Sequence, residues 1–393
     1  MARHPGPWCR PIRSSIVRRR PVPALTLQPS ENSLKYLCAL SGLGDRLASH
    51  DAAPNGAGTG RALAGFDFMP FSLARESLDP ADAGLVYVCS SEPGWTRRPH
   101  GRGFTYLDEQ GDVLKGDDRE RAEALVLPPA WADVWICKQP KGHLQATGKD
   151  EAGRTQYRYH ADWRAHCEGV KFSDMLAFGS ALPRIRKRVK AVLEDPADHI
   201  ELATAAIVRL LDKGAIRVGS ERHAKNGTFG ASTLYKRHVR QTDEDTIRLK
   251  FKGKGGKEQE VSICDESLAH AVGELQCLPG QSLFDTPDGH VGSTRVNRFI
   301  RDAGDGGFTA KDFRTWAGSV AAVEALRKGA NSIKGISEAA AERLGNTPTI
   351  ARNSYIHPRL VEMARNGETP DAEAGPVRLR KDERRLFAVL EED

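Results

Sequence analysis

Residues 150–163 read DEAGRTQYRYHADW and residues 171–193 read KFSDMLAFGSALPRIRKRVKAVL, and the texture of the chain changes between them. In the first stretch a turn-forming Asp and Gly precede Thr155, Gln156, Tyr157, Arg158 and Tyr159, the alternating polar and aromatic pattern of a strand. In the second, apolar residues recur at three- and four-residue spacing, the pattern of an amphipathic helix. Leu176, Gly179 or Ser180, and Pro183 mark where one helix is expected to end and another to begin, because proline has no N–H to give a helix interior. The spacing predicts a domain boundary near residues 160–170.

Upstream of it, LVYVCS from Leu85, GFTYLDEQGDVLK and VWICKQPKGHLQATG have the β-rich runs and Gly-bearing turns of antiparallel strands. Downstream, HIELATAAIVRLLDKGAI is a helix with Gly214 as its expected C-terminal cap, and TLYKRHVRQ, TIRLKFKG and KEQEVSI interrupt the helices as strands. The fold class is therefore α+β, a small β-rich N-terminal domain followed by a mainly helical domain with one small antiparallel sheet. The expected organisation is a basic, Pro- and Arg-rich extension over 1–80, largely disordered, a β-rich domain over 81–163, a helical domain over 164–366 and a charged tail over 367–393.

The chain has 393 residues and a formal net charge of +6. Arg3, Arg10, Arg13, Arg18, Arg19 and Arg20 fall in the first 30 residues, which hold no acid. Setting these six aside from the 58 basic groups leaves as many as the 52 acidic ones, so net charge says nothing about the folded body. Local clusters do: RIRKRVK at 184–190, RLKFKGKGGK at 248–257, and Arg295, Arg298 and Arg301 at i, i+3 spacing. The seven cysteines are scattered, against a zinc knuckle or disulfide framework. No apolar run approaches the ~20 residues of a bilayer span, and the N-terminus lacks a signal's hydrophobic segment. A cytoplasmic location is expected.

In the helical domain, AIRVGSERH puts Arg217 before a Gly, and LKFKGKGGK puts Lys254 at the tip of a Gly-rich hairpin. TAKDFRTWAGS places Lys311 and Arg314 one turn apart at a helix start. LGNTP puts Asn346 just past a helix ending at Gly345, and RNSYIHP carries Tyr355 where no apolar stripe asks for a ring. Each alone is an ordinary surface residue, but their joint order suits phosphodiester cleavage. A phenol serves as nucleophile, guanidinium forks hold non-bridging oxygens as charge builds, and an ammonium protonates the leaving alkoxide. There is no Walker-type loop and no clustered acidic set of a two-metal nuclease, so neither metal nor other cofactor is expected.

In this order, Arg217, Lys254, KDFR with Arg314, LGNTP with Asn346 and RNSYIHP with Tyr355 resemble the type IB DNA topoisomerases of the bacterial and poxvirus-like branch. PGWTRRPHGRGFTYLDEQG, residues 127–160 and KFSDMLAFGSALPRIRKRV extend the resemblance over roughly residues 84–366. It implies a C-shaped clamp on double-stranded DNA, acting as a monomer near the nucleoid. Tyr355 would form a 3′-phosphotyrosyl link, with Arg217 and Arg314 clamping the phosphate, Lys254 as general acid assisted by Lys311, and Asn346 donating to a non-bridging oxygen. An amide donates but carries no proton, so Asn346 is assigned to stabilisation where some relatives have His. Gln156, Tyr157 and Tyr159 match family residues that touch DNA in the major groove, and Arg154 and Arg158 are placed to neutralise phosphates. His223 stands where relatives often carry a DNA-contacting Tyr.

Two rival readings are a tyrosine recombinase and a non-catalytic nucleoid protein. The first shares the Arg, Lys, Arg, Tyr arrangement, but its His-x-x-Arg box is KDFR here and its N-terminal domain is typically helical. The second leaves the ordered site unexplained.

Overall fold

The computed structural model describes residues 78–392. The expectation of disorder over 1–80 lies outside the described residues, save for the last three positions.

Five antiparallel strands make the first layer: β1 (Trp95–His100), β2 (Gly103–Leu107), β3 (Ala132–Ile136), β4 (Leu144–Lys149) and β5 (Thr155–Tyr159), in the order β2-β1-β3-β4-β5. Gly101, at φ 57, turns β1 into β2 through a two-residue connection, a conformation in which a side chain is strained. Trp95, Tyr106, Val134, Ile136 and Ala146 are buried on one face against helix α1 (Gly116–Ala124). Strand β5 is an edge strand, paired only with β4, so its outer side is open to a partner.

Helix α2 (Ala161–Glu194) leaves directly from β5. It runs unbroken through Pro183, contrary to the break expected there. The lost hydrogen bond is outweighed by a continuous buried stripe, Met175, Phe178, Leu182, Ile185, Val189 and Val192. Against it pack α3 (His199–Gly214), α5 (Glu266–Cys277), α6 (Ser293–Gly304) and α7 (Ala310–Arg327); α8 (Ile333–Leu344), α9 (Pro348–Tyr355) and α10 (Pro358–Asn366) pack on α7 and on one another, and the short α4 (Glu221–Lys225) follows α3 in sequence. A small antiparallel sheet, β6 (Val239–Gln241), β7 (Thr246–Lys252) and β8 (Glu258–Cys264), lies between α4 and α5 in sequence. The rings of Phe178, Phe308, Phe313 and Trp316 meet edge to face at the centre, with centroids 5.1 to 6.0 Å from Phe178.

The residues after 367 are more than a charged tail. Lys381–Glu391 form helix α11, whose Leu386, Phe387, Val389 and Leu390 join the main core. The charged residues of RKDERR dominate the composition there, yet Glu383 is itself only 2% exposed.

Candidate active site

Helix α3 closes through Ala215, which takes the left-handed conformation at φ 51, and not through the expected cap Gly214. A Cβ on Gly214 would sit 3.3 Å from Ile263 Cδ1, so the glycine serves close packing against β8. The next residues, Arg217 and Val218, are fixed by a crossing strand of chain: the N–H groups of Ala231 and Ser232 donate to their carbonyls at 2.8 and 2.7 Å. Gly230 makes this crossing possible, since a Cβ there would fall 2.5 Å from the Arg217 carbonyl oxygen.

Helix α7 begins with a reciprocal cap: the Thr309 hydroxyl accepts from the Lys311 N–H, and the Asp312 carboxylate accepts from the Thr309 N–H at 2.7 Å. That start puts Arg314 in the second turn, facing inward at 3% exposure, while Lys311 stays exposed. Helix α8 ends at Gly345, φ 62, and delivers Asn346 immediately afterwards. Gln259 of β8 packs so tightly on Gly345 that a Cβ would collide with its amide, which draws the β7–β8 hairpin to this turn. Thr347 and Pro348 then start α9, whose last residue is Tyr355.

These local devices bring four of the expected residues together. The Asn346 Oδ1 accepts from Arg217 Nη2 at 2.7 Å and from Arg314 Nη2 at 3.5 Å, which also fixes the orientation of the amide. Arg314 Nη1 donates to the Ala215 carbonyl, and Nη2 to the Leu344 carbonyl at 3.0 Å. Its guanidinium carbon lies 5.2 Å from the Tyr355 ring centroid, and its side chain is hydrogen-bonded to the phenol. Two buried donors of this group, Arg314 Nε and Asn346 Nδ2, have no partner. Orphaned donors of this kind are unfavourable in a folded protein and are found where a ligand completes them.

Charge follows geometry. Burial pushes the Tyr355 phenol up, but the hydrogen-bonded Arg314 and the positive charges of Arg217 and Lys311 outweigh it and hold the phenol below its ordinary value. Burial pulls the Arg314 guanidinium down to about 10, opposed by Tyr355. It remains a cation at neutral pH.

Lys254 occupies the exposed tip of the β7–β8 hairpin, and no hydrogen bond or ion pair joins it to the other four. His223 lies on α4, exposed, with its Nδ1 2.8 Å from the Ser220 hydroxyl. On the edge strand β5, Asp150 orders the remaining set. Its Oδ1 accepts from the N–H groups of Ala152 and Arg154, and its Oδ2 from Arg154 Nε at 2.8 Å and Gln156 Nε2 at 2.9 Å. Tyr157 and Tyr159 stack 6.1 Å apart, and Arg158 is exposed.

Sequence reasoning missed Asp150, Gly318 and Ser319. The Ser319 hydroxyl donates to the Tyr355 carbonyl at 3.0 Å and accepts from the His357 N–H at 3.0 Å. A Cβ on Gly318 would come within 2.9 Å of Tyr355 Cβ. An interior helical glycine is a signal of close packing; nothing local marks the serine.

Comparison with known proteins finds matches over both parts of the chain. A family described as eukaryotic DNA topoisomerase I, catalytic core, matches residues 160–354, and one described as bacterial DNA topoisomerase IB, N-terminal domain, matches residues 103–150. The DNA topoisomerase 1B of Acanthamoeba polyphaga mimivirus is 28% identical over 285 residues, covering 67% of this chain and 84% of the viral protein. The bacterial-type N-terminal match, the core match and the viral relative converge: the chain belongs to the type IB DNA topoisomerases, in their bacterial and poxvirus-like branch.

Proposed function

We propose that this protein relaxes supercoiled duplex DNA by opening one strand at Tyr355. The phenol oxygen attacks the scissile phosphorus, a 3′-phosphotyrosyl bond forms, and the bond to the 5′ oxygen breaks to leave a 5′-hydroxyl. The freed strand rotates, and the 5′-hydroxyl attacks the phosphotyrosine to restore the original linkage. One phosphodiester is exchanged for another at each step, so no ATP enters the balance.

The meeting of Tyr355 with Arg217, Arg314 and Asn346 carries this reading. In it, the two guanidinium groups hold the non-bridging oxygens as negative charge develops, and the unpaired Asn346 Nδ2 supplies a neutral donor. Lys254 protonates the departing 5′ oxygen with help from Lys311, and the hairpin swings the ammonium into place on bound DNA. Residues 81–163 and 164–366 are the two arms of a clamp, with Gln156, Tyr157, Tyr159, Arg154 and Arg158 on the DNA side of the first and His223 on that of the second. A single copy acts on each duplex, in association with the nucleoid.

Purified protein is expected to relax positively and negatively supercoiled plasmid in EDTA without ATP. Tyr355→Phe abolishes relaxation and the covalent adduct while DNA binding persists. Relaxation by the Phe variant at the parent rate would remove Tyr355 from the nucleophile's place.

A further inference from the structure

The three basic clusters of the helical domain have different fates. In residues 184–190 four of the five charges, all but Lys187, are used internally: Arg184 donates to the Gly304 carbonyl at 2.8 Å, Arg186 pairs with Asp212 and Glu383, Arg188 with Glu201, and Lys190 with Glu194. The hairpin at 248–257 carries Lys254. The third, Arg295, Arg298 and Arg301 on α6, has no such use. Among the described residues none of the three side chains makes an ion pair or hydrogen bond, and Asp302, an acid on the same helix, pairs with none of them either.

From this and from where α6 is fastened, we infer that Arg295, Arg298 and Arg301 form a second contact with the phosphate backbone of duplex DNA, separate from the reacting phosphate. The inference rests on the topoisomerase reading. Val296 and Ile300 are fully buried, and at 100° per residue the three arginines cover the opposite side of the helix. Arg295 and Arg298 are exposed and Arg301 is half-buried. At a rise of ~1.5 Å per residue the row is about 9 Å long, against about 3.4 Å of duplex axis per phosphate on one strand, so it is long enough to reach more than one phosphate.

The row is also held rigidly next to the proposed site. Asn297 Oδ1 accepts from the Ala310 N–H at 3.0 Å, capping α7 one residue before Lys311 and four before Arg314. The Arg184 bond to Gly304 fixes the other end of α6. What favours a phosphate contact is the tie of α6, through Asn297, to the start of α7, the helix that carries Lys311 and Arg314. Unpaired guanidinium groups there release counterions on binding and carry no preference for base sequence.

The test compares salt dependence. Equilibrium binding of a blunt duplex is measured between about 50 and 200 mM NaCl with the full chain carrying Tyr355→Phe, which prevents covalent trapping. The same chain with Arg295→Gln and Arg298→Gln added is expected to show a slope of log K against log salt shallower by roughly 2, at ~0.9 per lost phosphate contact. Lys334→Gln with Lys381→Gln, an equal loss of charge on α8 and α11, is expected to leave the slope as it was. An unchanged slope in the arginine double variant overturns the inference, and so does an equal drop in the lysine control, which would report net charge alone. Failure of the topoisomerase reading would appear separately, as absence of a Tyr355 adduct in the unsubstituted protein.

Discussion

Glu383 on α11 and Arg186 on α2, 197 positions apart in the chain, meet through two hydrogen bonds, of 2.7 and 2.9 Å. Arg186 also holds Asp212 of α3 at 2.7 and 2.9 Å, and Glu383 accepts from the Trp316 indole N–H at 3.4 Å. Trp316 stands two residues beyond Arg314 on α7. The C-terminal helix therefore clasps three helices around the site, through a pair that is almost fully shielded from water.

Burial would raise the Glu383 carboxyl, but Arg186 overrides it and holds the group at about 2. Because the folded value lies below the unfolded one, the stabilisation is fully present above pH ~4.3 and is lost as pH falls through about 2. A difference of roughly two units corresponds to about 3 kcal/mol. Glu383→Gln is expected to lower unfolding free energy at pH 7 by about that amount, because Arg186 keeps Asp212 as a partner. Urea denaturation of the variant at pH 7 and pH 3 checks both size and direction: the gap between parent and variant narrows at the lower pH. A gap that widens there would contradict the account.

What was legible in the sequence was the local chemistry. The strand alternation around Gln156 and Tyr157, the helix start at TAKDFR, and Gly345 at the end of α8 each state their structure within a few residues. Missed features were those decided by distant partners. Pro183 reads as a helix break until the buried stripe around Phe178 and Ile185 is known to continue through it. Gly214 reads as a cap, yet it stays inside the helix, packed against Ile263, and Ala215 bears the left-handed turn, its carbonyl accepting from Arg314. Within 381–391 the apolar run LFAVL follows the charged RKDERR, and composition alone makes the segment a charged tail. The proposed site was legible only through the joint order of Arg217, Lys254, Arg314, Asn346 and Tyr355, since each alone reads as an ordinary surface residue. Ser319 was not, since its role exists only through contact with a residue 36 positions away.

That contact predicts a specific defect. Ser319→Ala leaves the His357 N–H and the Tyr355 carbonyl without their buried partner, at a cost of about 1–3 kcal/mol in the placement of the α9–α10 junction. Single-turnover formation of the covalent adduct is expected to slow by roughly tenfold, with DNA affinity within twofold of the parent. Gly318→Ala, whose new methyl would press on Tyr355, is expected to slow it further. Equal losses in binding and in adduct formation would show that these residues serve general folding and not delivery of the phenol.

The direction of the Tyr355 shift is open to measurement without DNA. Ultraviolet titration of the parent minus that of Tyr355→Phe isolates one phenol, which should ionise below the usual ~10. Removing positive charge must raise it: Arg217→Gln is expected to move the curve to higher pH, and Arg314→Gln to move it more, since burial then acts with less opposition. The same sign carries into catalysis, where the depressed phenol reaches its nucleophilic form at lower pH than a free tyrosine would. A curve that moves to lower pH in either variant would reverse the electrostatic assignment.

Lys254 presents the sharpest question, because it is the assigned acid and yet stands exposed on a hairpin tip with Gly255 and Gly256 at φ 76 and 74. Such a tip moves easily, and an ammonium that arrives only with DNA would look like this beforehand. The acid role separates from simple charge stabilisation by the leaving group. An alkoxide needs a proton to depart, whereas a thiolate departs without one. Lys254→Ala is therefore expected to slow cleavage of an ordinary strand by about 100-fold or more, and to slow cleavage far less when sulfur replaces the 5′ bridging oxygen. Gly255→Pro, which the positive φ cannot accommodate, should distort the tip and give a similar but smaller disparity. An equal loss on oxygen and sulfur substrates would reduce Lys254 to a phosphate contact and leave Lys311, in the first turn of α7, as the remaining candidate for the proton.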